Sequence, residues 1–278
     1  MLFSRLLETD GFNQLAKTRN GYCLYNQNDI YVGKSIEKYG EFSALEMQLL
    51  TQLCQPGDTV IEIGANIGAH TIEIARRVGP EGWVLAFEPQ RMVFQALCAN
   101  VAINSLTNVD CYCAAMGRER GSINVPEMDP ALSNNFGGVS LLGDESGRLV
   151  ECFPLDQFVS LPQLRLIKID VEGMESDVIS GGKKLIEKFK PFLYVENDHP
   201  EKSENLIRLI DSLGYRMYWH LPPLFNPDNY YANSENVYPK LVSFNMICVH
   251  RNFPIEMKGF PEVEDFSFHP STLRQPAQ

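Results

Sequence analysis

The sequence predicts an α/β fold: a doubly wound, mostly parallel sheet with one antiparallel strand near the C-terminus. Three observations predict it. Short β-branched runs alternate with segments of helical spacing from residue 59 to residue 219. Residues 59–71, T-V-I-E-I-G-A-N-I-G-A-H-T, pass from a strand through a glycine turn into a helix. The last two strand patterns, 215–219 and 242–249, have a long loop and no helix between them, so antiparallel pairing is the simplest connection.

Taken in order, residues 21–35 read as a hairpin of two β-rich runs joined by 26–29. Ser43 follows as a helix N-cap, with Glu46 three residues on to complete a capping box, and Pro56-Gly57 stops that helix. Residues 1–55 thus form a lead-in to a main domain at 56–251. Within it the pattern predicts strand 60–64, helix 68–78, strand 83–88, a helix from Pro89 to 103 and strand 109–114. After Gly117 comes a polar excursion with short strands. The repeat resumes with strand 164–171, helix 175–190, strand 192–196 and helix 203–213. A loop at 221–240 rich in Pro, Asn and Tyr precedes the last strand, and residues 252–278 read as a tail that is poorly structured or laid on the surface.

The chain has 278 residues, 44% of them hydrophobic, and a net charge of −11 without a basic cluster. That balance argues against nucleic acid or an anionic membrane as a partner. Residues 1–20 lack a continuous apolar core, so neither a signal peptide nor a membrane span is expected, and the cytoplasm is the expected location. Seven cysteines are scattered through apolar runs. Cys111 and Cys113 share a strand face, but no second Cys/His pair has ligand spacing, so reduced buried thiols are expected rather than a metal centre.

The strand–turn–helix at 59–71 sets helix N–H groups beside a strand's carboxyl end, where α/β sheets bind nucleotide-like ligands. The dinucleotide fingerprint G-x-G-x-x-G, counted from Gly64, fails at Asn66 and again at Ala69. An adenosine ligand without a pyrophosphate fits better. Glu88 ends the second strand, where a carboxylate can take both ribose hydroxyls. Glu62 lies inside a core strand, a costly place for a carboxylate unless something pairs with it.

V-I-E-I-G-A-N-I-G-A-H-T, A-F-E-P and L-I-K-I-D-V-E-G-M-E-S-D-V-I-S-G resemble the FkbM family of S-adenosylmethionine-dependent methyltransferases. Y-G-E at 39–41 and S-F-N-M-I-C-V at 243–249 also match, so the resemblance covers most of residues 20–250. It implies a class I methyltransferase, Rossmann-like fold, S-adenosylmethionine as cofactor, and O-methylation of a hydroxyl on a sugar, glycan or other small molecule. It also implies a cofactor site of Glu41, Glu62, Gly64, Ala65, Asn66, Gly68, Thr71, Glu88, Pro89, Ala115 and Asp170. Glu62 stands where most members carry Asp.

Asp170 and Glu172 are two apart at the end of the central strand and share a face if it stays extended. Either could be the base that takes a hydroxyl proton, or hold acceptor hydroxyls, or bind a divalent metal with Glu196, Asp198 or His199. A carboxylate there could instead cap the next helix, as Glu172 or Glu175. His199 is equally a candidate base and a plain turn residue, while His70 reads as a first-turn helix residue only. Trp219, Asn229 and Tyr230 are candidate acceptor contacts and, equally, turn residues among prolines. The loop at 221–240 is expected to act as a lid. Two alternatives stay in view: a non-catalytic module that binds an adenosine ligand, and an NAD-dependent oxidoreductase.

Overall fold

The computed structural model describes residues 10–138 and 147–274. It opens with a hairpin, β1 (Asn13–Thr18) and β2 (Gly21–Asn26), then α1 (Val32–Tyr39) and α2 (Ala44–Leu53). The hairpin lies earlier than predicted. It turns at Arg19-Asn20, and the second half of the expected hairpin is α1, which Asp29 starts by accepting the Tyr31 and Val32 N–H groups.

The main sheet follows: β3 (Thr59–Ile63), α3 (Ala69–Val78), β4 (Trp83–Phe87), α4 (Arg91–Ile103) and β5 (Val109–Tyr112). The excursion is a small sheet of β6 (Ala115–Met116), β7 (Gly121–Val125) and β8 (Arg148–Phe153), in the order β6-β8-β7. Next come β9 (Leu166–Ile169), α5 (Glu175–Ser180), α6 (Lys183–Phe189), β10 (Phe192–Glu196), α7 (Pro200–Ser212), β11 (Tyr215–His220) and β12 (Asn245–His250). The helix predicted over 175–190 is two, broken at Gly181-Gly182. A side chain on Gly181 would collide with the Gly117 carbonyl, so the chain turns where that loop crosses it.

Seven strands lie in the order β11-β12-β10-β9-β3-β4-β5. β12 is antiparallel to both neighbours, and β10, β9, β3, β4 and β5 run parallel, as the alternating pattern predicted. Side chains alternate across the strands. Ile61, Ile63, Ile167, Ile169, Leu193 and Val195 face α5, α6 and α7. Val60, Leu166 and Tyr194 face α2 and α3. Period two therefore carries Glu62 and Lys168 to the face of α2 and α3, directly opposite one another on adjacent strands.

The tail is laid on the surface, one of the two expectations for it. The Trp219 N–H donates to the Pro261 carbonyl, the Val263 N–H donates to Met217, and Val263 and His269 are buried. Residues 261–263 thus run against the outer strand β11 and cover what would be a free sheet edge. The loop at 221–240 is likewise packed. Tyr39, Leu224 and Tyr238 form a buried cluster, and the Tyr39 hydroxyl donates to the Glu235 carbonyl.

Candidate functional site

A cavity of about 480 Å³ opens at the carboxyl ends of β3, β4, β9 and β10, a volume in the range of small-molecule sites. Among the described residues seven carboxyl side chains line it, against a single ammonium, that of Lys168. The carboxyls are Glu46, Glu62, Glu88, Asp170, Glu172, Glu196 and Asp198. Such a wall suits a cationic ligand.

The glycine turn forms the floor. Gly64 has φ 79°, and a Cβ there would run into the Asp170 carbonyl, so the close approach it permits is first that of β9's end. Asn66 is left-handed at φ 52°, a conformation asparagine tolerates. Its N–H donates to Glu88 Oε2 at 3.0 Å, and the Gln90 N–H donates to Oε1 at 2.8 Å. Glu88 is thereby fixed at the end of β4, and burial outweighs those two bonds and pushes its carboxyl up to about 7. Ala65 and Pro89 also line the cavity. Gly68 caps α3 and lies against Leu97.

Behind the turn, the Thr71 hydroxyl donates to Glu62 Oε2 at 2.6 Å, while Glu62 Oε1 is buried without a partner. Burial pushes Glu62 up to about 7, held back by Lys168 and Thr71. Lys168 Nζ sits 2.7 Å from Asp170 Oδ2. Burial alone would lower the Lys168 pKa, but Asp170, Glu46 and Glu62 raise it above the ordinary value. The same pair holds Asp170 below the usual carboxylate range in spite of its own burial. Glu46 arrives from α2, takes the Ser43 hydroxyl at 3.0 Å, and is pushed up to about 7 by burial. His70 is buried beside it, stacked on Phe42 with ring centroids 5.4 Å apart, and burial keeps it neutral with a pKa down to about 3.

Asp170 and Glu172 do meet, though not on an extended strand. β9 ends at Ile169, Glu172 turns left-handed at φ 51°, and the turn swings its carboxyl back beside those of Asp170 and Glu196. Oxygens of these three lie within 4.8 Å of one another, as do ligand atoms of Glu172, Asp198 and His199, spacings that a divalent cation could bridge. Burial first, then Asp170, Asp198 and Glu175, push Glu172 up to about 8. Glu175, not Glu172, closes the turn, by accepting the Gly173 N–H at 2.9 Å. His199 is the N-cap residue of α7, with its ring nitrogens 3.4 Å from Asp198 and 3.4 Å from Glu201.

Several sequence candidates lie elsewhere. Glu41 lines no part of this cavity. It is a buried hub that accepts from Arg19 Nε (2.7 Å), Asn226 Nδ2 (2.8 Å) and the Tyr230 N–H (3.0 Å). Ala115 is buried in β6 and paired with Cys152. Trp219 is a core residue set edge-on against His269. Asn229 donates to the Asn226 and Asn233 carbonyls, and Tyr230 is exposed. The far wall comes instead from Leu224 and residues 241–245. Cys111 and Cys113 join no metal-like cluster among the described residues, and the seven cysteines are free thiols.

Glu46, His70, Lys168 and Glu196 are the cavity residues whose weight the sequence reading missed or understated. One signal was present: Lys168 interrupts the apolar run L-I-K-I, just as Glu62 interrupts T-V-I-E-I. A lone charge in each of two core strands implies that they face each other.

No helix among the described residues is long and apolar enough to cross a membrane. The chain is similar to "Methyltransferase 1" of Beauveria bassiana (strain ARSEF 2860), 25% identical over 182 residues, 57% of this chain and 68% of that protein. It is also 26% identical over 135 residues to the hexuronic acid methyltransferase AglP of Haloferax volcanii, covering 49% of this chain and 54% of AglP. Among solved structures, methyltransferase FkbM from Methylobacillus flagellatus KT aligns with a TM-score of 0.46 and 15% identity, over 79% of this chain and 55% of that one. A family model described as "Methyltransferase FkbM domain" matches residues 62–217, more than half of the sequence. By that match, which runs from Glu62 through Glu88, Asp170 and Glu172 to β11, the chain belongs to the FkbM methyltransferase family.

Proposed function

We propose that this methyltransferase uses S-adenosylmethionine to methylate a hydroxyl on a sugar, glycan or other small molecule. The observation that carries the reading is the acidic cavity, seven carboxyls to one ammonium among the described residues, at the sheet edge where α/β folds bind adenosine ligands. A sulfonium is a cation, and its charge favours the ionised form of carboxyls that burial otherwise holds protonated. Glu88, held rigid by two backbone N–H groups, keeps lone pairs free for the ribose hydroxyls. The name of AglP, a hexuronic acid methyltransferase, supports a sugar-class acceptor.

The transfer is an in-line displacement. The acceptor oxygen attacks the methyl carbon, the carbon–sulfur bond breaks with its electron pair going to sulfur, and the acceptor proton passes to a carboxylate. Glu172 is the better base of the pair, because its carboxylate is the more basic, whereas Lys168 holds Asp170 ionised and weakly basic. Asp170 then orients the acceptor or the sulfonium by charge.

Calorimetry with S-adenosylmethionine, S-adenosylhomocysteine and NAD, followed by a methyl-transfer screen over glycans, tests the reading. Expected are binding of the first two and methylation of at least one hydroxylated acceptor. Tight NAD binding would overturn the cofactor assignment. Cofactor binding with no transfer to any acceptor would favour a non-catalytic module.

A further inference from the structure

A second cavity, of about 370 Å³, adjoins the acidic one at Pro89-Gln90, the described residues that the two have in common. One wall is the first turns of α4, where Met92, Val93 and Ala96 lie within about a helical turn of one another. Another is the segment that follows β7 and reaches Phe136. Hydrogen bonds to its backbone carbonyls fix that segment in place. The Asn26 and Asn28 side-chain amides donate to the Pro130 carbonyl at 2.9 and 3.0 Å, and the Gln90 amide donates to the Phe136 carbonyl at 2.7 Å. Ile67, Val93 and Phe136 belong to one apolar cluster and line the cavity as well. A mostly apolar lining with a few polar groups is the usual make-up of a small-molecule site.

The charge here differs from that of the first cavity. Arg91, at the start of α4, and Arg148, at the start of β8, both line the cavity and are both exposed. The ion pairs of the described arginines belong to Arg19, Arg118, Arg165, Arg208 and Arg251, so neither of these two is neutralised by a partner. Burial and Glu88 raise the pKa of the Cys113 thiol, and Arg148 and Arg91 both pull it back, which sets both guanidinium groups near the end of β5. Two carboxyls also line the cavity. Asp29 is 4% exposed and spends its Oδ1 on the Tyr31 and Val32 N–H groups at the start of α1. Glu127 is exposed to water. In a chain of net charge −11, two unpaired arginines at one apolar cavity are a local reversal of sign.

We propose that this second cavity binds a small anionic amphiphile, an apolar chain that ends in a carboxylate or a phosphate. The chain lies on Met92, Val93, Ala96 and Phe136, and the anion is held by Arg91 and Arg148. The site is separate from the acidic cavity and does not depend on which cofactor that cavity takes. Asn135 and Gly137, on either side of Phe136, wall the acidic cavity, so the amphiphile sits behind that wall.

The test is calorimetry with probes that share one chain, each kept below its micellar range: decanoate, decyl phosphate, decanol and decyltrimethylammonium. At least one of the two anions should bind, and the tighter of them tells a carboxylate ligand from a phosphate. Decanol should bind about tenfold more weakly, the scale of two exposed ion pairs, and decyltrimethylammonium no better than decanol. Replacing both arginines, Arg91→Gln with Arg148→Gln, should remove that margin and leave decanol unchanged. Ala96→Phe fills the cavity and should abolish binding of every probe at an unchanged melting temperature. Met92→Trp is the filling variant to use where Ala96→Phe does not fold. Failure of both anions to bind would overturn the proposal, as would decanol binding as tightly as they do, or probe binding that survives in a folded filling variant.

Discussion

Glu172 and Asp170 bring carboxyl oxygens within 4.8 Å of each other, yet they sit in opposite electrostatic settings. Lys168 neutralises one, while burial, that first carboxylate itself and two further ones, Asp198 and Glu175, press protons onto the other. If Glu172 is the base, turnover should rise with pH through about 8, where its carboxyl ionises, and Glu172→Gln should lose roughly 10²–10⁴-fold in turnover and flatten that rise. A pH–rate profile of both proteins checks this; a profile that keeps its rise in the Gln variant excludes Glu172. Asp170→Asn should also slow turnover, and restoration of its rate by added divalent ions would point to metal binding instead. Glu88→Ala should weaken S-adenosylmethionine by about 1.5–3 kcal/mol in calorimetry, the scale for hydrogen bonds that a charged group makes. Undiminished affinity would remove Glu88 from the site. These residues were legible because each lies at or just past the carboxyl end of a core strand, where sequence position alone puts a side chain at the sheet's active edge. Glu46 was not, because α2 brings it in from outside the motif, and His70, inside the motif, read as a first-turn helix residue only. Their partners depend on which face of each helix packs on the sheet.

At the level of elements, the loop expected to be a lid is tied down by its own hydrogen bonds. Besides the Glu41 hub, the Tyr238 hydroxyl donates to the Ile30 and Tyr31 carbonyls, and the Val237 N–H donates to the Tyr39 hydroxyl. The Pro- and Asn-rich composition showed that the segment turns. It could not show that the turns close around α1, since that needs Tyr39 and Glu41 from a region almost two hundred residues earlier. Glu41→Ala should therefore lower stability by about 1–3 kcal/mol, as Asn226 and Tyr230 lose a buried acceptor. Cofactor affinity should not change. Chemical denaturation and calorimetry separate the two effects; weakened cofactor binding with intact stability would return Glu41 to the ligand site. For a related reason the sequence left two readings of the tail open, poorly structured or laid on the surface. Its apolar residues have no periodicity, because it packs as an irregular cover on β11. Ending the chain at Arg251 should uncover Trp219 and the β11 edge and lower the melting temperature, and an unchanged melting temperature would show that the cover is dispensable.

For the molecule as a whole, the concentration of acid in one cavity makes stability depend on pH in an unusual direction. Glu46, Glu62 and Glu88 are pushed up to about 7 and Glu172 to about 8, from an ordinary value of 4.5. Between those limits the folded protein holds protons that the unfolded chain has released, so stability falls as pH rises through the window. Asp170, shifted the other way, contributes stability that is lost only in more acidic solution. The melting temperature of the ligand-free protein should thus fall from about pH 5 to about pH 8, and a rise over that range would contradict the placement of these carboxyls. A bound cation should oppose the fall.

The position of β12 has a consequence for how the protein is made. This strand is the last of the sheet to be synthesised, yet it lies between β10 and β11, and residues 241–244 just before it, with its own Asn245, form most of the far wall of the cavity. A ribosome that has released everything up to β11 has released the glycine turn, Glu88 and the carboxylates of β9 and β10. The edge of β10 nevertheless stays unpaired, open to the wrong strand, until the final stretch inserts. The nascent chain therefore holds most of its ligand contacts before it holds a closed vessel around them.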